Sequence, residues 1–413
     1  MSKERAQVAN RIGSYREWAV ELERQLTAAP ALAPEAGGKG ELEKAAVVER
    51  VLREIGVERV ERIEAPDERA AGGVRPNLVA HIPGRRPGGR LWIMSHLDVV
   101  SEGDVSKWDS DPWTVRVDGD KVYGRGVEDN QQGIVASLLL ARALLEEKVV
   151  PVREVCLLFV ADEEVGSTFG IRHLLAADPG LFRPDDWIVV PDGGKPDGSQ
   201  IEVAEKSILW VKVTVTGKST HGSTPERGIN ANRAASNLVV ALDQALHERF
   251  PAQDPVFDPP GCTFEPTKRE ANVGSVNIVP GEDVSYFDCR VLPFYPLKEV
   301  ETEITQQCTA IEALFDVKVA WEPTQREEAA PPTSPDAPVV LALQRAVREV
   351  YQVEAKPEGI GGGTVAAYIR RASVPAVVWA RMDETMHTAN EYVLLSNIVG
   401  DARVFAHLAL DEA

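Results

Sequence analysis

Three predominantly apolar runs constrain the fold of this chain more than any other feature. They are "RLWIMS" (90–95), "EVCLLFVA" (154–161) and "WIVVP" (187–191). Each has the length of a strand, and a strand without alternating polar residues is typically buried on both faces. Helical periodicity at 41–56 and at 130–148 supplies helices that can cover such strands. The first part of the chain therefore predicts a layered α/β domain.

The pattern changes after residue 206. Valines alternate with polar residues in "ILWVKVTVTG" (208–217), which predicts a strand with one buried face. The segments that follow predict a helix, two strands, a helix and a strand, at 230–250, 271–280, 283–293, 297–315 and 316–323. This β-α-β-β-α-β order is that of a ferredoxin-like α+β domain, in which a helix pair covers an antiparallel sheet.

The α/β pattern resumes beyond the proline-rich segment 327–338. The helical "PVVLALQRAVREVYQ" and the strand-like "VPAVVWA" belong to this last part. We therefore predict one α/β domain built from residues 1–206 and 325–413, with a ferredoxin-like domain inserted at 207–324.

Composition excludes some classes of partner. The net charge is −19, and acidic residues are spread along the chain, so a basic surface for nucleic acid or anionic membrane is not expected. The N-terminal segment lacks the apolar core of a signal peptide, and no apolar run has the length of a membrane span. The four cysteines have no CxxC spacing, which favours reduced thiols in a cytoplasmic protein.

Histidines and carboxylates recur where the predicted strands end. They are His96 and Asp98 after the first run, Asp129 in "YGRGVEDN", Glu163 and Glu164 after the second run, Asp192 after the third, and His387 beyond "VPAVVWA". Each has an ordinary explanation by itself, such as a turn aspartate, a helix cap or a surface histidine.

Together these residues favour a metal site. The carboxyl ends of strands in an α/β sheet share one edge, and two imidazoles with several carboxylates suit Zn²⁺, Co²⁺ or Mn²⁺. Adjacent residues of an extended chain point in opposite directions, so Glu163 and Glu164 should differ in role. One would bind metal and the other would remain free as a base.

The chain resembles the M20 family of metallopeptidases and deacylases over nearly its whole length. The resemblance rests on motifs in family order: "SHLDVV", "YGRGVEDN", "ADEEVGS", "PDGG", "GKSTHGSTP", "NIVP" with "DCR", "GGGT" and "HTANEY". It implies two divalent metal ions, zinc with cobalt or manganese as alternatives, bridged by Asp129. One ion would add His96 and Asp192, and the other Glu164 and His387. Glu163 would be the general base and Asp98 the carboxylate partner of His96.

The resemblance also implies substrate contacts and an assembly. His221, Asn277, Arg290, Gly363 and Thr364 match substrate-contacting positions of the family. The inserted domain would serve as lid and dimerisation domain of a homodimer, with His221 reaching the partner's active site. The peptide bond after Asp129 would be cis.

The expected reaction is hydrolysis of an amide bond in a small amino-acid derivative or short peptide with a free carboxylate. The leading hypothesis is a deacylase of the desuccinylase or deacetylase type, and a metallo-dipeptidase or exopeptidase is the alternative. Three departures from the family pattern affect the choice between these substrates. They are Asn130-Gln131 after Asp129, Val365-Ala366 after the glycine-rich loop, and Asp192. An aspartate at position 192 resembles the dipeptidase and tripeptidase branches. A metal-binding protein without activity is a third possibility, which an intact Glu163 disfavours.

Overall fold

The three apolar runs are buried strands in a computed structural model of the chain, which describes residues 3–412. The chain divides into two compact units. Unit 1 holds the described residues up to Val203, together with Thr333–Pro357 and the residues from Thr364 on. Unit 2 holds Ala204–Pro332 and Glu358–Gly363. The domain boundaries predicted from the sequence, after residues 206 and 324, stay a prediction.

The chain up to residue 205 contains both helices and strands. They are α1 (Lys3–Gly13), α2 (Arg16–Thr27), α3 (Leu42–Glu54), β1 (Arg59–Pro66), β2 (Val74–Ile82), β3 (Leu91–His96), β4 (Arg116–Asp118), β5 (Lys121–Tyr123), α4 (Gln132–Glu146), β6 (Val155–Val160), α5 (Ile171–Ala177), β7 (Trp187–Val190) and β8 (Gln200–Glu205).

Unit 2 and the returning segment supply the remaining elements. They are β9 (Ser207–Thr216), β10 (Thr220–His221), α6 (Ala231–Arg249), β11 (Thr263–Arg269), β12 (Ile278–Val279), β13 (Glu282–Val291), α7 (Leu297–Phe315), β14 (Lys318–Glu327), α8 (Pro338–Tyr351), β15 (Lys356–Ile360), α9 (Ala366–Arg371), β16 (Ala376–Val378), β17 (Tyr392–Leu394) and α10 (Leu395–Ala409).

An eight-stranded sheet with the order β1-β2-β6-β3-β7-β16-β8-β15 contains the three apolar runs. Four adjacent strands in the middle of this sheet run parallel to one another: β6, β3, β7 and β16. Strand β2 joins β6 in antiparallel pairing, and β1 joins β2 in the same way. The carboxyl ends of the central strands therefore meet at one edge, where α/β sheets bind ligands.

Unit 2 has the predicted β-α-β-β-α-β order. Its four-stranded sheet runs β11-β13-β9-β14 with antiparallel pairing throughout. The alternation in β9 is confirmed, because Val211, Val213 and Val215 are buried. They form one core with the apolar faces of α6 and α7. The predicted fold class, a layered α/β domain with an inserted ferredoxin-like α+β domain, is confirmed.

One predicted strand was wrong. Residues 271–277 form a loop, and only the two-residue β12 follows them, paired with β10. The second strand of the main sheet of unit 2 is β11, which buries Phe264. Asn272, Gly274 and Ser275 favour turns, whereas β11 tolerates Pro266 because it lies at the sheet edge and has an irregular register after that proline.

Among the described residues, no helix combines the length and the apolar character that crossing a membrane requires. All four cysteines are free thiols.

The core of unit 2 provides a stability test on helix α6. Leu242 is buried in that core, whereas Val240 on the same helix is 66% exposed. We expect Leu242→Ala to lower the free energy of unfolding by about 2–5 kcal/mol, because it removes buried methyl groups and leaves a cavity. Val240→Ala should change it by less than about 0.5 kcal/mol. Urea unfolding of both variants measures the difference, and equal losses would contradict the assigned packing.

Candidate metal centre

The strand ends bring the predicted metal-binding residues together in unit 1. His96 is the last residue of β3, the pair Glu163 and Glu164 follows β6, and Asp192 follows β7. Asp129 precedes α4, and His387 lies in the loop between β16 and β17. Neither Asp129 nor Asn130 caps α4, so the ordinary explanation of these polar residues as helix caps is wrong.

Asp129 lies between the two imidazoles. Its Oδ1 is 2.8 Å from Nε2 of His96, and its Oδ2 is 3.0 Å from Nε2 of His387. Oδ1 of Asp192 lies 3.4 Å from the same nitrogen of His96. Oε2 of Glu164 lies 3.2 Å from the same nitrogen of His387. The cluster therefore has two halves, each with one imidazole and one carboxylate of its own, and Asp129 belongs to both.

The hydrogen bonds of Asp98 orient both His96 and the turn that carries the two glutamates. Nδ1 of His96 is 3.0 Å from the backbone oxygen of Asp98 and 3.6 Å from its Oδ1. When a metal ion is bound, a proton on Nδ1, assigned from this contact, would leave the lone pair of Nε2 available to the ion. The Asp98 carboxylate accepts the backbone N–H groups of Glu163 and Glu164, each at 3.0 Å.

Both glutamates reach the cluster, so the prediction that they point in opposite directions was wrong. Its premise was an extended chain, but residues 163–166 form a turn. A Glu163 oxygen lies within 4.8 Å of ligand atoms of His96 and Asp192, and a Glu164 oxygen lies equally close to those of His96 and Asp129. The two glutamates differ in their contacts with histidine. Glu164 forms an ion pair with the imidazole of His387, and this imidazole therefore engages Glu164 rather than Glu163.

The buried carboxylates create a strongly negative site. Burial raises the pKa of Glu163 well above its usual range, and the charge of Asp192 adds to this effect. Hydrogen bonds to Asp129 and Glu164 raise the pKa of His387 to about 10. Buried carboxylates need compensating positive charge nearby.

The donor set fits a pair of divalent ions. Imidazole nitrogen and carboxylate oxygen suit Zn²⁺, Co²⁺ and Mn²⁺. A carboxylate whose two oxygens face different imidazoles is suited to be shared by two ions, and Asp129 has this arrangement.

Asn130, one of the departures from the family pattern, holds Asp192 in place. The Asp129–Asn130 peptide bond is cis, as predicted. The side-chain amide of Asn130 donates to Oδ1 of Asp192 at 2.8 Å and to the backbone oxygen of Pro191 at 2.6 Å.

Sequence reasoning missed two buried glutamates that position the site loops. The Glu391 carboxylate accepts the backbone N–H groups of Gly126, Glu128 and Asp129 and also binds Arg125. Burial raises the pKa of Glu391 to about 7, and the Arg125 charge opposes that rise.

The Glu128 carboxylate makes the corresponding contacts with the loop of His387. It accepts the backbone N–H groups of Asp383, Thr385 and Met386. The signal was present in the sequence, since Glu128 and Glu391 belong to the quoted motifs "YGRGVEDN" and "HTANEY".

Unit 2 places His221 beside Asn277. The two-residue strands β10 and β12 pair His221 with Ile278, and the N–H of Gly222 donates to the backbone oxygen of Asn277 at 2.6 Å. His221 is exposed, and its Nδ1 lies 2.7 Å from Oγ of Ser223.

Arg290 contacts the glycine-rich loop within unit 2. Its guanidinium donates to the backbone oxygen of Gly361 at 2.8 Å and forms a bidentate salt bridge with Asp288. Gly363 lies in the same loop, where a Cβ atom would have no neighbour within 4 Å, and Thr364 begins the returning segment of unit 1. The substrate-binding roles of these residues stay predictions.

The chain is similar to known metallohydrolases and deacylases. The chain is 38% identical to an "uncharacterized metallohydrolase" of Methanocaldococcus jannaschii over 94% of this chain and 98% of the relative. It is 31% identical to acetylornithine deacetylase of Arabidopsis thaliana over 56% of this chain and 53% of that protein. It is 24% identical to succinyl-diaminopimelate desuccinylase of Stenotrophomonas maltophilia over 75% and 80% of the two chains.

Solved structures share the fold. Aminopeptidase PepT from Bacillus cereus has a TM-score of 0.73 at 18% identity, over 95% of this chain and 98% of that one. The YXEP protein of Bacillus subtilis, described as a dinuclear metal-binding peptidase of the M20 family, has a TM-score of 0.63 at 16% identity, over 96% and 98% of the two chains.

The protein is thus a metal-dependent hydrolase of the amidohydrolase and peptidase class. The model of peptidase family M20/M25/M40 matches residues 92–411, and the chain belongs to this family. The resemblance seen in the sequence is confirmed.

Asp98 offers a test of how the site is positioned. In Asp98→Asn, an N–H₂ group would face one of the two backbone N–H groups that the carboxylate now accepts. We expect metal affinity or turnover to fall by about 10–100-fold, the usual effect of losing a group that orients metal ligands. A chelator-competition titration measures the affinity. Asp178→Asn is the matched control, because Asp178 also accepts a backbone N–H but at an exposed turn. Equal metal affinity and turnover in the two variants would contradict the role of Asp98.

Proposed function

We propose that the protein hydrolyses the amide bond between an acyl group and the nitrogen of an amino acid. The observation that carries this proposal is the Asp129 carboxylate shared between two imidazoles, with the Glu163 carboxylate beside it. The deacylase names of two relatives support the substrate class. The amino-acid product would retain its free carboxylate.

The ligands of the two metal ions are also part of this proposal. Asp129 would be shared, His96 and Asp192 would complete one site, and Glu164 and His387 the other. Zinc is the proposed metal, with cobalt or manganese as alternatives. When bound, a metal pair of this kind lowers the pKa of water and polarises the carbonyl of the substrate.

Glu163 would act as the general base. Burial and the nearby Asp192 raise its pKa, which brings a carboxyl group closer to the pH at which it can both accept and release a proton. It would take a proton from the attacking water and deliver it to the leaving amine. Asp98 would keep the turn of Glu163 in position through the N–H contacts described above.

Residues of unit 2, together with Thr364 of unit 1, would hold the substrate. Arg290 and the loop with Gly363 and Thr364 would contact its carboxylate, since guanidinium and backbone N–H groups bind carboxylates well. Asn277 and His221 would stabilise the negative oxygen that forms on the attacked carbonyl carbon. We propose that His221 does so in the partner's active site, within a homodimer formed through unit 2.

The exposed edge of unit 2 supports this assembly. The sheet of unit 2 ends in β14 on one side and β11 on the other. An unpaired sheet edge favours pairing with a second copy of the same strand. We further propose that the protein works in the cytoplasm, a reducing compartment that suits its four free cysteines.

Cleavage of free dipeptides is the second candidate function. Asp192 favours it, because an aspartate at this position resembles the dipeptidase and tripeptidase branches of the family, whereas deacylases usually have glutamate. The side chain of aspartate is shorter than that of glutamate, but the Asn130 amide donates to Asp192 and holds it at the cluster. An aspartate at this position can therefore still serve as a metal ligand.

A product profile tests the proposed function. Enzyme reconstituted with Zn²⁺, Co²⁺ or Mn²⁺ should bind about two equivalents and release acetate or succinate from N-acyl amino acids faster than amino acids from dipeptides. Glu163→Gln is the control, and it should keep its metal while turnover falls by about 10²–10⁴-fold, because an amide cannot accept the proton. Faster dipeptide cleavage would establish the second candidate, and turnover of neither substrate class would reject both.

Mixed dimers test the proposed role of His221. Chains with Glu163→Gln and chains with His221→Ala should each be inactive. After subunit exchange, a mixed dimer would contain one site with both residues intact, and activity should partly return. Exchange of the same variant with itself is the control. If light scattering shows only monomers, or if exchange is confirmed without any recovery, His221 does not serve a partner's site.

A further inference from the structure

A second group of metal-ligating atoms lies away from the metal centre, on strands β2 and β6 of unit 1. His81 on β2 is paired directly with Cys156 on β6, so the two side chains share one face of the sheet. Glu154 precedes Cys156 by two residues and joins them. These three residues belong to none of the sequence motifs that define the metal centre.

The distances suit a metal ion. Nδ1 of His81 is 2.8 Å from Oε1 of Glu154 and 3.6 Å from Sγ of Cys156. Zinc holds imidazole nitrogen at about 2.0–2.1 Å and thiolate sulfur at about 2.3 Å, so two tetrahedral ligands of these kinds lie about 3.5 Å apart. The observed separation of nitrogen and sulfur is therefore already that of a zinc site, and a small rotation of the half-buried Glu154 would complete it.

The other ring nitrogen of His81 gives an independent indication. His81 is 9% exposed, and its Nε2 is buried without a hydrogen-bond partner among residues 3–412. Oε1 of Glu61, on the neighbouring strand β1, lies 3.9 Å from this nitrogen. A metal ion at Nδ1 would leave the proton on Nε2 and polarise it, and metal-bound histidines usually direct that N–H towards a carboxylate.

We propose that His81, Glu154 and Cys156 bind one zinc-like divalent ion, separate from the ions of the metal centre. The charges balance, because one carboxylate and one thiolate neutralise a divalent ion in a largely buried place. His81 and Glu154, though not Cys156, also line a cleft of about 460 Å³ between β2 and the end of α4. The ion and a water molecule as fourth ligand would enter through this cleft. The ion would join β2 to β6 at the antiparallel end of the large sheet.

Binding at this site would release a proton. Burial raises the pKa of the Cys156 thiol, so the sulfur is protonated in the absence of a cation. A thiol that coordinates a metal ion is deprotonated, so the ion displaces the thiol proton to solvent. The metal centre contributes only imidazoles and carboxylates, and a sulfur–metal bond is therefore specific to the proposed site.

Cobalt distinguishes the two sites without an activity measurement. Metal-free protein titrated with Co²⁺ should bind three equivalents and develop thiolate-to-cobalt charge-transfer absorption in the near ultraviolet. Cys156→Ser should lose that absorption and one equivalent, and it should keep the other two and its hydrolytic activity. Cys289→Ser is the matched control, since Cys289 is also buried but lies in unit 2, and it should retain the absorption.

A second variant covers the case in which Cys156→Ser does not fold. Glu154 is 33% exposed, so Glu154→Gln is tolerated more easily, and it should also bind two equivalents. The proposal is overturned if the wild-type chain binds no third equivalent, or if it shows no charge-transfer absorption at saturation. It is also overturned if the absorption persists in Cys156→Ser. Loss of the proposed hydrolytic function would leave this spectroscopic result unaffected.

Discussion

The carboxylate of Asp129 is the group on which the arrangement of the metal centre depends. One of its oxygens faces His96 and the other faces His387, so it joins a residue at a strand end to a residue in a distant loop. Burial by itself would raise the pKa of Asp129, but the hydrogen bonds from the two imidazoles outweigh burial and lower it. The residue is thus held as an anion, the form in which a carboxylate can be shared by two cations.

A layer of buried charges supports the turn that carries Glu163 and Glu164. Arg75 is fully buried, donates to Glu41 and lies 3.5 Å from Asp162, the residue before the two glutamates. Glu41 also accepts the backbone N–H of Asp162. Buried ion pairs contribute little net stability, because desolvation offsets their attraction, but removal of one partner is costly. The effect of this layer is therefore to fix the geometry of the turn.

The sequence predicted well what depends on strand burial and poorly what depends on loop conformation. Continuous apolar runs located the central strands, and the shared edge of parallel strands placed His96, Asp192 and the glutamate pair close together. The strand β11 was not predicted, and its Pro266 fits there because the strand lies at the edge of the sheet. The opposite directions predicted for Glu163 and Glu164 failed because a turn has no two-residue periodicity. Adjacent letters in a sequence do not reveal which backbone N–H groups a carboxylate will accept.

Glu128 and Glu391 show this limit most clearly, because each lies in one loop of the site and holds the other. Glu128 is next to Asp129 in sequence, yet its carboxylate binds the backbone N–H groups before His387. Glu391 is four residues after His387, yet it binds the N–H groups that lead to Asp129. Neither loop has its buried N–H groups satisfied unless the other is in place, and unsatisfied buried N–H groups are costly. The two halves of the metal centre are therefore coupled through the backbone, and Asp129 and His387 reach their positions together.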